Sequence, residues 1–155
     1  MVNSRVYPVA MPLTASVPTV VQVVLDTTDA RALAEFYRQL LGFVYRHDDD
    51  PPPAGEPDPR GHDWLVIHQA QGSTRIAFQQ VRELARSTWP EPGVAQQLHL
   101  DLSVPTKQEL DGQHQRVVDM GATLLNDRSD DEQEPLRVYA DPSGHPFCIF
   151  VAAAG

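Results

Sequence analysis

Six side chains of this sequence carry the chemistry: His99, Cys148, Asp26, Asp101, Gln22 and Gln79. The imidazole and the thiol are the reactive pair. As a thiolate, Cys148 would be a nucleophile or a soft metal ligand, and His99 a ligand or general base. Gln22 and Gln79 are neutral, so they suit hydrogen bonds to a bound molecule better than firm metal binding. Each residue also has a plainer reading. His99 can be held by Asp101, Cys148 can be a small buried apolar residue, and the two glutamines can satisfy each other. Phe150 adds an aromatic ring to the set, while Trp64 and Trp89 either stack on a flat ligand or simply pack.

The elements that must position these groups recur in one order. Residues 20–26 (VVQVVLD) are β-branched and read as a strand. Asp29 then caps a helix whose apolar stripe runs through Leu33, Phe36, Tyr37, Leu40 and Leu41 and stops at Gly42. Three strands follow at 43–47, 63–68 and 75–81. Between the first two lies the loop 48–62 (DDDPPPAGEPDPRGH), too polar and broken to pack. A connector over 82–95 holds Trp89, Pro90 and Pro92. The pattern then restarts: a strand at 97–104, a helix opened by the capping-box pair Thr106 and Glu109, and strands at 122–125, 136–140 and 146–151. Residues 126–135 form an acidic loop, and Asp141-Pro142-Ser143-Gly144 turns between the last two strands.

Gln22 stands as far before the cap Asp29 as His99 stands before the cap Thr106. Repetition at this scale predicts an α+β fold of two βαβββ modules, about 19–95 and 96–153, forming a curved mixed sheet cup with helices on its outer face. Residues 1–18, broken by Pro8, Pro12 and Pro18, read as an irregular arm before a single domain over 19–153; Met11 is an alternative start.

Strand alternation sorts the side chains. Val21, Val23 and Leu25, Leu98, Leu100 and Leu102, Ile76 and Phe78, and Phe147, Ile149 and Val151 are predicted to meet the helices. Gln22, Asp26, Gln79, His99, Asp101, Cys148 and Phe150 then share the opposite face, a mixed surface suited to a small molecule.

Composition narrows the partners. The chain of 155 residues is 41% hydrophobic and 21% charged, enough for a core and too little charged for disorder. Its formal charge of −9 opposes nucleic acid and anionic membranes and favours a cationic ligand, although acidic surfaces also simply maintain solubility. One cysteine excludes an intrachain disulfide and fits a cytoplasmic setting. No apolar run approaches the ~18 residues of a membrane span, and the N-terminus lacks the layout of a signal peptide.

Four segments carry a family resemblance. They are Asp29 through Phe36-Tyr37 to Leu41-Gly42-Phe43; Phe78-Gln79-Gln80-Val81; Leu98-His99-Leu100-Asp101-Leu102; and Asp141-Pro142-Ser143-Gly144-His145-Pro146-Phe147-Cys148. With them the chain resembles the vicinal-oxygen-chelate superfamily of glyoxalases, bleomycin-resistance proteins and extradiol dioxygenases. The resemblance implies a cup holding a divalent metal, with a His or Gln on the first strand, a Glu on the fourth, a His on the fifth and a Glu on the eighth. Those places are taken here by Gln22, Gln79, His99 and Cys148, so both acidic ligands are missing. Proton transfer beside a hydrated metal needs a carboxylate base, and a non-haem iron site needs two histidines and a carboxylate. The expectation is therefore a binder of a small cationic or aromatic molecule without a tight catalytic metal. The alternative is an enzyme of lyase, isomerase or oxygenase type with a divergent His99/Cys148 centre. The resemblance also implies a homodimer.

Overall fold

The computed structural model describes residues 18–152. The arm expected over residues 1–18 lies outside them except for Pro18. Strand β1 (Val23–Thr27) leads into helix α1 (Ala30–Leu41), then β2 (Val44–Tyr45), β3 (Trp64–His68) and β4 (Arg75–Gln80). The second module repeats this with β5 (Leu100–Val104), α2 (Lys107–Asp119), β6 (Thr123–Arg128), β7 (Leu136–Ala140) and β8 (Pro146–Val151). The eight strands divide into two four-stranded sheets, ordered β1-β4-β3-β2 and β5-β8-β7-β6. In each, the first strand pairs in parallel with the last and the remaining pairs are antiparallel. This is the two-module α+β fold that the repeat predicts.

Local chemistry sets the boundaries. The Asp29 carboxylate accepts the Ala32 N–H at 2.9 Å and opens α1. Gly42 closes it at φ 66°, a left-handed conformation that a side chain would strain. Arg116 of α2 donates to the carbonyls of Gln39 and Leu40, so the second helix caps the end of the first. At α2 the Thr106 hydroxyl accepts from the Glu109 N–H at 3.2 Å and donates to the Glu109 carboxylate at 2.8 Å. The reciprocal bond to the Thr106 N–H expected of a capping box is thus replaced by one to its hydroxyl.

The core is an aromatic chain across both modules. Tyr37 stacks on Phe78 at 5.9 Å, and Phe147 meets Phe36, Tyr37 and Tyr139 at 5.9, 6.2 and 5.4 Å. The turn Asp141–His145 plugs onto the first module. Buried Asp141 accepts from the Tyr37 hydroxyl at 2.9 Å, Ser143 Oγ lies 2.7 Å from Thr27 Oγ1, and His145 Nε2 lies 2.7 Å from the Asp26 carbonyl.

Three expectations need correction. Val21 and Val23 were to meet the helices, yet they are 59% and 37% exposed: Val21 lies ahead of β1, Val23 is its first residue, and of the three only Leu25 reaches the core. Leu98, at 39%, is exposed too, ahead of the first residue of β5. The loop 48–62 does pack. Asp49 is fully buried, accepting the Val66 N–H at 2.9 Å and bonds from Arg46 and Arg60, while Asp58 holds Arg31 through two bonds at 2.7 and 3.2 Å. Pattern alone treats these aspartates as solvated; in the fold each satisfies donors that would otherwise be unpaired.

Candidate functional site

The sequence places its candidates on one continuous face. The structure separates them into two adjoining cavities that share Gln96. The first, of about 370 Å³, lies on the second module and is lined by His99, Asp101, Cys148 and Phe150 with Trp89 and Glu134 among its walls. The second, of about 380 Å³, takes Gln79 and Asp26 with Val24, Gln97, Leu98 and His145. Gln22, half-buried ahead of β1, lines neither. Four of the seven candidates therefore converge. Gln80, the neighbour of Gln79, faces the other way: its amide oxygen accepts the Ala30 N–H at 2.8 Å and its amide nitrogen donates to the Thr28 carbonyl at 2.6 Å, at the start of α1.

Register explains the convergence. Asp101 and Val138 are the two cross-strand neighbours of Cys148, and Phe150 sits beside Ser103 and Leu136. His99 precedes β5, and its Nε2 lies 3.4 Å from Asp101 Oδ1 with both side chains well exposed, 47% and 61%. Strand alternation also puts Leu136 and Val138 on this face, a signal present in the sequence. Asn126 and Arg128 carry a weaker one, because β6 runs on past a bulge at Leu124/Asn126 into what the sequence presents as loop. Trp89 carries only its residue type, that of a ring able to stack on a flat ligand: it comes from the connector at the end of the first module, which has no period to place it.

Two carboxylates and one guanidinium line the cavity. Arg128 is turned toward Asp131, whose carboxylate also accepts the N–H groups of Gln133 and Glu134 and so fastens the acidic loop. Asp101 and Glu134 remain as carboxylates on the wall. Burial, and after it the charges of Asp101 and Glu134, push the Cys148 thiol up to about 11. A thiol held there is protonated at neutral pH, a poor nucleophile and a poor metal ligand.

Comparison with known proteins decides the family. Residues 22–150 match the family described as glyoxalase-like domain. The chain belongs to that family. No curated protein matches it significantly. Among solved structures, this glyoxalase-like protein is similar to a glyoxalase/dioxygenase from Nostoc punctiforme (19% identity, TM-score 0.62, covering 96% of this chain and 99% of that one). It is similar to a glyoxalase/bleomycin resistance protein/dioxygenase family enzyme from Burkholderia phytofirmans PsJN (21%, 0.60, 86% and 98%). A fosfomycin resistance protein from Mesorhizobium loti shares 12% identity at a TM-score of 0.59, over 89% and 95% of the two chains. At these identities the likeness is one of fold.

The metal that the fold family implies does not fit the donors present. Among the described residues no three of His, Cys, Asp and Glu are grouped to hold an ion. His99 and Cys148 share a wall, but the thiol is protonated, and the amide of Gln79 lines a different cavity. A catalytic dication needs about three convergent donors drawn from imidazole, thiolate and carboxylate.

Proposed function

We propose that this glyoxalase-like protein binds a small organic cation in the cavity of its second module, as a sequestering protein that uses no tightly held catalytic metal. One observation carries the reading: a cavity of ligand size in which Glu134 has no cationic partner among the described residues, Asp101 has only the exposed imidazole of His99 at 3.4 Å, and Arg128 is engaged by Asp131. Two carboxylates beside apolar walls, met only by an imidazole, attract a monocation and give little to an anion. The raised thiol of Cys148 reports the same field and argues against covalent chemistry there. We place the protein in the cytoplasm on its lone cysteine, and among its described residues no helix is long and apolar enough to cross a membrane.

The test is native mass spectrometry of protein purified without chelator, with elemental analysis. The expected result is a co-purified or added organic cation at one per chain and substoichiometric metal. Near-stoichiometric metal that disappears on His99→Ala would defeat the proposal and put the enzyme reading first. We propose further that the protein is a homodimer. Support comes from the outer edge of β1, which pairs with no other described strand, and from Val20 and Val21 just ahead of it, 93% and 59% exposed. Sedimentation showing only the 17.2 kDa species at micromolar concentration would refute it.

A further inference from the structure

Residues 87–94 of the connector form a closed loop. The Thr88 N–H donates to the Val94 carbonyl at 2.9 Å, and the Val94 N–H returns to Thr88 Oγ1 at 2.9 Å. The Glu91 N–H donates to the Thr88 carbonyl at 2.8 Å, and the Trp89 N–H donates to Ser87 Oγ at 3.2 Å. Gly93 at φ 138° completes the ring; a Cβ there would stand 2.8 Å from Thr88 Oγ1. These bonds hold the backbone of eight residues, Trp89 among them, in one closed turn.

The indole presented is half-buried and forms part of the wall of the second-module cavity, as does the half-buried ring of Phe150 on β8. The other aromatic side chains near the module joint are already engaged. Phe36, Tyr37, Phe78, Tyr139 and Phe147 pair with one another within 6.2 Å, and His114 joins at Tyr139. Trp89 and Phe150 take no part in those pairs, although both line a space of about 370 Å³. A rigid loop that spends several hydrogen bonds on displaying one indole at a cavity is pre-organised for contact with the occupant.

We propose that Trp89 is the specificity-determining residue of this cavity, selecting a flat aromatic cation by stacking on its ring opposite Phe150 while Asp101 and Glu134 take its charge. This rests on the ligand-binding reading above and names its substrate class. A π-face accepts a planar cation more strongly than a round one of equal charge, because stacking and cation–π attraction act together.

Calorimetric titration with N-methylquinolinium, tetraethylammonium and naphthalene-2-sulfonate tests this. The chain has two tryptophans, so a Trp64→Phe background leaves Trp89 as the only indole and its quenching reads contact directly. N-methylquinolinium is expected to bind best and to quench Trp89. Trp89→Leu should weaken it by about tenfold and leave tetraethylammonium unchanged, and Trp89→Phe should stay within about threefold of the parent. Gly93→Ala, which disturbs the loop without touching the cavity, should weaken the flat cation in the same direction. Unchanged N-methylquinolinium affinity in Trp89→Leu, or no preference over tetraethylammonium, overturns the role of Trp89 while leaving the cation site intact. Failure of both cations to bind overturns the site itself, and this inference with it.

Discussion

The turns that join the last two strands of each module occupy the same place in the repeat and meet opposite fates. In the first module, residues 69–73 of the turn between β3 and β4 are exposed. In the second, Asp141 and Gly144 are buried, and the turn reaches Thr27, Tyr37 and Asp26 of the first module. The repeat supplies two equal frames; the joint between them comes from the positions where the copies differ. The cavities follow the same rule. The first module contributes Asp26 and Gln79 to one that also draws on the connector, while the second builds its own from β5, β6, β7 and β8 and receives Trp89 as an addition.

Breaking the joint should have the largest effect. Asp141 Oδ1 accepts the N–H groups of Ser143 and His145 at 2.9 and 3.0 Å, and Oδ2 accepts from the fully buried Tyr37. Asp141→Ala leaves these donors unpaired in the interior and should cost about 3 kcal/mol in urea unfolding at pH 7. Ser73→Ala in the first turn should stay within about 0.5 kcal/mol. Equal losses at the two sites would show that the joint does not rest on this turn. The pH dependence of the joint has a definite sign. Burial raises the Asp141 carboxyl above its ordinary 3.8, against the opposing effects of His145 and the turn's N–H groups. The folded state then holds its proton more tightly than the unfolded chain, so this group's contribution weakens as pH rises above 3.8 through the raised value.

Much of the frame was legible in sequence because it depends on local rules: an Asp cap, an apolar stripe, a stop at Gly42, and period-two strands. The joint was less so. The sequence marks Asp141 as turn chemistry, and nothing local says that its second oxygen meets a tyrosine far back on α1. The site was half legible. Alternation grouped His99, Asp101, Cys148 and Phe150, because they lie on β8 and on or beside its parallel partner β5. It also grouped Gln22 and Gln79 with them, because parity places residues on a face and says nothing about which of two separate sheets that face belongs to. Trp89 and Glu134 come from segments with no period, so no pattern could assign them, and Arg128 ends β6 beyond the bulge that breaks its period.

A smaller effect separates the two cavities. Glu134→Gln, in the second-module cavity, should weaken a bound organic cation by about threefold to tenfold at low salt, with the loss shrinking as salt rises. Asp26→Asn, in the cavity shared with the first module, should change it by less than about twofold. A larger loss at Asp26 than at Glu134 would move the binding site to the other cavity.

The smallest effect lies on the acid limb of stability, and it tests whether the two modules are tied down by the same kind of pair. On the second module, burial alone would raise the Asp127 carboxyl. The hydroxyl and N–H of Ser129 and the guanidinium of Arg137 outweigh it and bring it down to about 2. On the first, Arg38 foremost, aided by Gln39 and Tyr45 and opposed by burial, lowers Glu35 to about 2 as well. Each group binds its proton more weakly in the folded state than in the unfolded chain. Their contributions are therefore present above the ordinary values of 3.8 and 4.5 and are lost as pH falls toward about 2. Exposure limits the size: Asp127 is 42% exposed and Glu35 33%, so solvent screens both. Asp127→Asn should cost about 0.5 kcal/mol at pH 7 and close to nothing at pH 2, and Glu35→Gln about the same or less. The partners differ more than the carboxylates do. Arg137 is only 10% exposed and also bonds Asp111, Ser129 and the Leu110 carbonyl, whereas Arg38 is 37% exposed and answers to Glu35 within one helix turn. Replacing the arginine should therefore separate the modules where replacing the acid does not. Arg137→Met should destabilise clearly more than Arg38→Met in urea unfolding at pH 7, and equal losses would mean that the Arg137 cluster adds nothing beyond a surface ion pair.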